Sequence, residues 1–117
     1  MADRADRLAA VEAFALDLPG AFRDTPWEGD VVAKVGKKIF VFLGSGDPPT
    51  ISVKLPESAD HALSIDGARP TSYGLGRHGW VTVPVPDAPP DLVQDWIEES
   101  YRTIAAKKLI AELDARS

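Results

Sequence analysis

The stretch from Val31 to Leu43 limits what this 117-residue chain can fold into more than any other feature of its sequence. Its two halves, Val31 to Val35 and Lys38 to Leu43, are rich in β-branched and aromatic residues, and Gly36-Lys37 separates them. A two-residue connection that begins with glycine is typical of a type II′ turn, so the stretch is predicted to be a β-hairpin. Both faces of this hairpin are largely apolar. We therefore expect helices to cover one side of the sheet and further protein to cover part of the other.

The turn also predicts which residues of the hairpin lie opposite each other. With a two-residue turn, Lys34 lies opposite Ile39, Ala33 opposite Phe40, and Val32 opposite Val41. In this register the side chains of Val32, Ile39 and Val41 share one apolar face. That face is a candidate surface for binding a partner protein or a second copy of the chain, provided that the monomer leaves it exposed.

Periodic segments on both sides of the hairpin predict the remaining elements. Apolar residues at helical spacing predict a first helix that Pro19-Gly20 ends. The other predicted elements are a strand from Thr50 to Leu55, a short helix opened by Pro56, a strand from Trp80 to Val85, and a long C-terminal helix from about Asp91 whose apolar stripe extends to Leu113. Weaker strand signals lie at residues 22–25 and 70–73.

The order of these elements predicts an α+β fold. Long alternation of strands and helices is absent, so we expect a two-layer domain with a mainly antiparallel sheet, helices packed on it, and the order α-β-β-β-α-β-(β)-α. The length fits one domain over residues 1–117. The absence of cysteine and of an apolar secretory segment fits a cytoplasmic protein. No apolar run approaches the roughly 18 residues that span a bilayer, so no membrane partner is expected.

Charge is distributed unevenly along the chain. The net charge is −5, which disfavours a general binder of polyanions. The excess acid lies in residues 1–18 and 87–117, whereas residues 19–86 hold seven acidic and seven basic residues. A basic surface is therefore expected, if anywhere, in the middle of the chain.

Four lysines supply that candidate surface, and two interpretations remain open for them. They are Lys34, Lys37, Lys38 and Lys54. The first interpretation is that they are solvated residues of strands and turns that protect the sheet edges. The second is a patch that contacts phosphates, with the Gly36-Lys37 turn acting as a wing in a nucleic-acid groove and with Arg77 and His78 as a further contact. Nearby aromatic residues (Phe40, Phe42, Tyr73, Trp80) would stack on bases or, more often, pack in the core.

The segment from Gly74 to Gly79 matches the G-x-G-x-x-G pattern of dinucleotide-binding proteins, but its context is wrong. That motif needs a strand before it and a helix after it, whereas here the glycines lead into the predicted strand at Trp80. Successive backbone N–H groups beside Arg77 and His78 would still suit an anion-binding nest. Neither His61 nor His78 has an identifiable catalytic partner, and no metal motif is present, so we expect neither an enzyme nor a bound cofactor.

Taken together, the motifs resemble those of the MmcQ/YjbR family of small bacterial proteins. The resemblance runs from the first helix through Tyr101 and beyond, and Glu28 departs from the family pattern. It rests on Asp17-Leu18-Pro19-Gly20, Pro26-Trp27-Glu28, Val31 to Phe40, Ser52-Val53-Lys54-Leu55, Tyr73 to Val81 and Glu99-Ser100-Tyr101. It implies a fold similar to frataxin-like and secretion-chaperone-like domains and a function customarily labelled DNA-binding, with no catalytic residues to transfer. The expected function is a DNA-binding module, and an interaction or adaptor module is the alternative.

Overall fold

The computed structural model describes residues 4–27, 30–44, 48–72 and 74–116, and these ranges form four α-helices and six strands. The helices are α1 (Arg4–Leu16), α2 (Ala59–Leu63), α3 (Pro90–Ile104) and α4 (Lys107–Ala115). The strands are β1 (Ala21–Trp27), β2 (Asp30–Val35), β3 (Lys38–Gly44), β4 (Thr50–Lys54), β5 (Arg69–Pro70) and β6 (Trp80–Pro84). Two 3₁₀ turns span Leu75–His78 and Val85–Asp87. Three features that the sequence singled out lie outside the described residues: Glu28, Tyr73 and the Trp27 side chain.

The six strands form one antiparallel sheet in the order β1-β2-β3-β4-β6-β5. This topology confirms the predicted α+β class. The two weak strand signals correspond to β1 and β5, so the chain has one strand more before α2 than the predicted order. β5 precedes β6 in the chain and pairs with it at the edge of the sheet.

The central hairpin is present, but its predicted register is wrong beyond Ile39. Val35 pairs with Lys38 across the turn. Gly36 has a φ of 63°, and a positive φ at this position is required in both type I′ and type II′ turns. Lys34 pairs with Ile39 as predicted, whereas Ala33 pairs with Val41. Phe40 is therefore the extra residue of a β-bulge, and every later residue of β3 is displaced by one.

The bulge decides which residues of β3 belong to the core. Phe40 and Val41 are both buried in the main hydrophobic cluster, while the Phe42 side chain lies on the opposite face, where it contacts Trp80. The core lies between the sheet and the helices, and all four described helices place residues in it or against it. We call this side of the sheet the helical face.

The other side of the sheet we call the strand face. Its members follow from the strand register and from the alternation of side chains along each strand. They include Phe22, Asp24, Val32, Lys34, Ile39, Phe42, Ser52, Lys54, Arg69, Trp80 and Thr82. Arg23 alternates with Phe22 and Asp24, and its ion pair with Glu12 of α1 shows that it points to the helical face.

The predicted C-terminal helix is broken in two. Ala105 and Ala106 have extended backbone, with ψ of 153° and 150°, and α4 begins after them. The break returns α4 to the corner between α1 and β1. There the Arg116 guanidinium donates to the Asp17 carbonyl at 2.7 Å, and Leu109 lies against Gly20. None of the helices in the described ranges is long and apolar enough to cross a membrane.

Candidate nucleic-acid interface

The strand order brings the six predicted binding residues to one end of the sheet. Because neighbouring strands are antiparallel, the β2–β3 turn lies at the same end as the last residue of β4 and the first residue of β6. Lys34, Lys37 and Lys38 flank the turn, Lys54 ends β4, and Arg77 and His78 lie in the 3₁₀ turn that precedes β6. Three strand spacings separate β2 from β6, so the backbones of these two strands lie roughly 14 Å apart.

The four lysines do not point in one direction. Lys34 and Lys54 lie on the strand face, whereas Lys38 is the register partner of Val35, whose side chain is buried on the helical face. Lys37 is the exposed second residue of the turn. The cluster therefore surrounds the end of the hairpin, and two of its members extend onto the strand face.

Lys34 is the lysine of this cluster with an acidic partner in the described structure. Its Nζ lies 3.2 Å from Oδ2 of Asp24, across the β1–β2 pair. The other carboxylate oxygen of Asp24 accepts a hydrogen bond from the Thr25 amide at 2.8 Å. The hydrogen bond from Lys34 and then that from Thr25 hold the pKa of Asp24 below its ordinary value. The positive charge of Lys34 is thus partly neutralised, which makes it the weakest candidate of the four for a phosphate contact.

The Arg77-His78 turn is exposed, but four of the amides that would form the anion nest already have carbonyl partners. The amides of Leu75, Gly76, Arg77 and Gly79 already donate to carbonyls of residues 71–76. These N–H groups are consequently not free to receive an anion. Gly74 and Gly79 have φ of 79° and 87°, as a chain reversal at each end of the turn requires, and Gly79 leads directly into β6. The side chains of Arg77 and His78 remain as the polar groups of this turn that face solvent.

The two layers of the domain differ in charge. On the strand face, the described charged side chains are Lys34, Lys54 and Arg69 against Asp24. The described acidic side chains of α1 and α3, together with Asp17 directly after α1, belong to the helical layer on the other side of the sheet: Glu12, Asp17, Asp91, Asp95, Glu98 and Glu99. The chain is acidic as a whole, yet the acidic helices lie behind the sheet when it is viewed from Lys34 and Lys54.

The prediction that Val32, Ile39 and Val41 form an exposed apolar patch on this face is wrong. Val32 has no exposed surface, and Val41 is in the core because of the bulge. Ile39 alone of the three is partly exposed on the strand face. Towards β6 the face is closed by polar contacts and by an aromatic pair. The Ser52 and Thr82 hydroxyls lie 2.8 Å apart, and the Phe42 and Trp80 rings meet edge to face at 5.5 Å.

Three consecutive residues of α3 fix the end of the sheet where the basic residues lie. The Glu99 carboxylate accepts hydrogen bonds from the Glu57 and Ser58 amides and from the Ser58 hydroxyl. The buried Ser100 hydroxyl donates to the Phe40 carbonyl and accepts from the Lys54 amide. Glu99-Ser100-Tyr101 is one of the motifs on which the family resemblance rests, but the sequence did not indicate what these residues contact.

Tyr101, the third of these residues, joins α3 to the corner after α1. Its hydroxyl donates to the Pro19 carbonyl at 2.7 Å, and its ring packs edge to face on Phe40 at 5.4 Å. A tertiary contact thus accounts for each residue of Glu99-Ser100-Tyr101. The described contacts of this tripeptide maintain the fold and hold the backbone of the candidate residue Lys54 in place.

Comparison with known proteins supports both the fold and the motifs. The family model described as YjbR matches residues 16–103, from the end of α1 almost to the end of α3. Among solved structures, the crystal structure of Deinococcus radiodurans protein DR2400, a DUF419 domain, has a TM-score of 0.74 with this chain. The two sequences are 21% identical, and the match covers 92% of this chain and 87% of that one. No curated protein matches the chain.

Proposed function

The chain belongs to the YjbR family, and on that premise we propose that it is a non-catalytic DNA-binding module whose basic residues at one end of the sheet contact phosphates. The contact set is Lys37, Lys38, Lys54, Arg77 and His78, with Lys34 as a further member once it leaves Asp24. Support comes from the strand order, which brings the turn, the end of β4 and the start of β6 to one end of the sheet, with β2 and β6 roughly 14 Å apart. No chemical step is assigned to them, since the proposal needs positive charge and hydrogen-bond donors alone.

The observation that carries the proposal is the separation of charge between the two sides of the sheet. An overall charge of −5 repels a polyanion, and it would do so most strongly if acidic side chains surrounded the lysines. Instead, the described acidic side chains of α1 and α3 lie in the helical layer, and Glu99, which reaches the end of the sheet near Lys54, is engaged there by the Glu57 and Ser58 amides. At physiological ionic strength the Debye length is about 8 Å, so charges behind the sheet are largely screened from a ligand in front of it. The local positive charge then determines the attraction.

Salt-dependent binding tests this proposal. We would titrate the purified protein into a fluorescent DNA duplex of about 20 base pairs, at about 50 and 150 mM salt, and follow the fluorescence anisotropy. Neutralising four to six phosphates predicts a slope of roughly −4 to −5 for the logarithm of the binding constant against that of the salt concentration. The proposal fails if the protein does not bind at the lower salt concentration, or if binding is insensitive to salt.

A further inference from the structure

Phe22 of β1 has an exposure that its residue type does not explain. Its side chain is 44% exposed, although most large apolar residues in the described ranges are buried or half-buried. It lies on the strand face, because Arg23 beside it points to α1 and because its register partner is Lys34. The fold therefore presents an aromatic ring to solvent directly beside a lysine.

The same pairing of an aromatic ring with a lysine recurs farther along the sheet. Lys54 of β4 is the register partner of Trp80 of β6, on the same face and at the same end of the sheet. Trp80 is 8% exposed, and the half-buried Phe42 ring packs against it. Lys34 and Lys54 are two strand spacings apart, or roughly 10 Å. Across this end of the strand face, two ring–lysine pairs thus lie on either side of Ile39, and Phe22 is the accessible ring of the two pairs.

We propose that the strand face binds single-stranded nucleic acid, with a base stacked on Phe22 and the backbone phosphates at Lys54 and, once it leaves Asp24, at Lys34. This inference rests on the proposed function and specifies its substrate. The charge of the face is complementary to the ligand, since its described charged side chains are three cations and one carboxylate. Surfaces that bind single strands without sequence preference combine these two elements, a positive track for the backbone and aromatic rings for the bases.

A duplex does not use the exposed Phe22 ring. In a duplex the base faces are stacked on one another, so a ring on a sheet surface can reach only base edges and phosphates. In a single strand the base faces are accessible, and stacking on an aromatic side chain is tolerant of sequence. The two substrates therefore make different demands on the protein. Duplex binding needs the lysines, whereas single-strand binding needs the lysines and Phe22.

Replacing Phe22 separates these cases. We expect Phe22→Ala to lower the affinity for a fluorescent 20-nucleotide single strand by roughly fivefold to a hundredfold and to leave duplex affinity nearly unchanged. Phe22→Trp should retain single-strand binding. Leu63→Ala is the matched control, because Leu63, on α2, is the other large apolar residue that is exposed in the described ranges, at 37%. Thermal unfolding of each variant verifies that it is folded.

The outcomes distinguish this inference from the function on which it rests. A preference for the single strand that Phe22→Ala removes, and that Leu63→Ala does not, supports the inference. Equal or tighter duplex binding that Phe22→Ala leaves unchanged overturns the inference while the proposed function stands. Failure to bind either nucleic acid overturns both.

Discussion

Ser100 of α3 donates its hydroxyl hydrogen to the carbonyl oxygen of Phe40 at 2.6 Å. Its oxygen accepts the amide of Lys54 at 2.9 Å, so one side chain joins β3 to β4 next to the bulge. The paired residues of β3 and β4 begin at Val41 and Val53 and end at Gly44 and Thr50, so Phe40 and Lys54 lie just outside the ladder. Ser100 thus replaces a ladder hydrogen bond where the bulge interrupts pairing, and it holds the backbone of Lys54 in place.

Ser100→Ala is expected to destabilise the fold by about 2–3 kcal/mol, because it leaves a buried carbonyl and a partly buried amide without partners. Urea denaturation measures the change. Thr103→Ala, on the same helix, is the control. The exposed Thr103 hydroxyl bonds only to a carbonyl four residues earlier, so this change should stay within about 0.5 kcal/mol. Similar losses in the two variants would contradict the role given to Ser100.

Glu99→Gln is expected to cost about 1–2 kcal/mol. The carboxylate accepts three hydrogen bonds from Glu57 and Ser58, and hydrogen bonds to a charged acceptor are stronger than those to a neutral amide. Glu98→Gln is the control, because it makes the same replacement of a carboxylate by a neutral amide at the neighbouring residue. It breaks only a partly exposed pair with Arg102 and should cost at most about 0.5 kcal/mol. A larger loss in the Glu98 variant would show that net charge, and not this contact, controls stability.

Tyr101→Phe should lower stability by about 1–2 kcal/mol at neutral pH, since the buried Pro19 carbonyl loses its donor. Burial, and then the nearby Glu112 charge, raise the pKa of the Tyr101 phenol. Stability from the neutral phenol is complete below the ordinary tyrosine pKa of about 10 and is lost as the pH rises through the raised value. Urea denaturation across this range should therefore show a steeper alkaline decline for the wild type than for Tyr101→Phe. Parallel declines would contradict this.

The Asp24–Lys34 pair makes a prediction for acidic pH. The pKa of the Asp24 carboxyl is lowered, so its contribution to stability is present above the ordinary carboxyl pKa and is lost as the pH falls through the lowered value. In an NMR titration the Asp24 side chain should have a midpoint below the ordinary value, and Lys34→Gln should raise it. An unchanged midpoint in that variant would show that Lys34 does not hold Asp24 in solution, and would make Lys34 a freer phosphate ligand.

Local sequence patterns predicted the hairpin and the sheet because turn chemistry and alternation are short-range signals. Gly36 has the positive φ that the turn requires, and Val35 pairs with Lys38. The bulge at Phe40 has no such signal, since the residues around it are ordinary strand formers. The contact that accompanies it is tertiary, because Ser100, sixty residues away, donates to the carbonyl of Phe40.

The end of α3 shows the same limit of local patterns. Ala105 and Ala106 are the residue type with the highest helix propensity, yet both are extended. Packing of α4 on the corner near Gly20 outweighs that preference, and no pattern within the helix predicts it. Of the candidate site, the sequence predicted the basic residues but not their common position, which depends on strand order. It also missed Phe22 and Arg69, whose face is defined only by pairing.

The most direct test of the proposed interface compares two pairs of adjacent exposed lysines. Lys37 and Lys38 lie at the β2–β3 turn, and Lys107 and Lys108 open α4. Changing either pair to Gln alters the net charge by the same amount. Any difference between the two variants in an anisotropy titration with duplex DNA therefore reports where the lysines lie. The account predicts that the turn variant loses about tenfold in affinity and that its salt slope falls by about 2, while the α4 variant stays within about twofold of the wild type. Equal losses, or no loss in the turn variant, would contradict the interface.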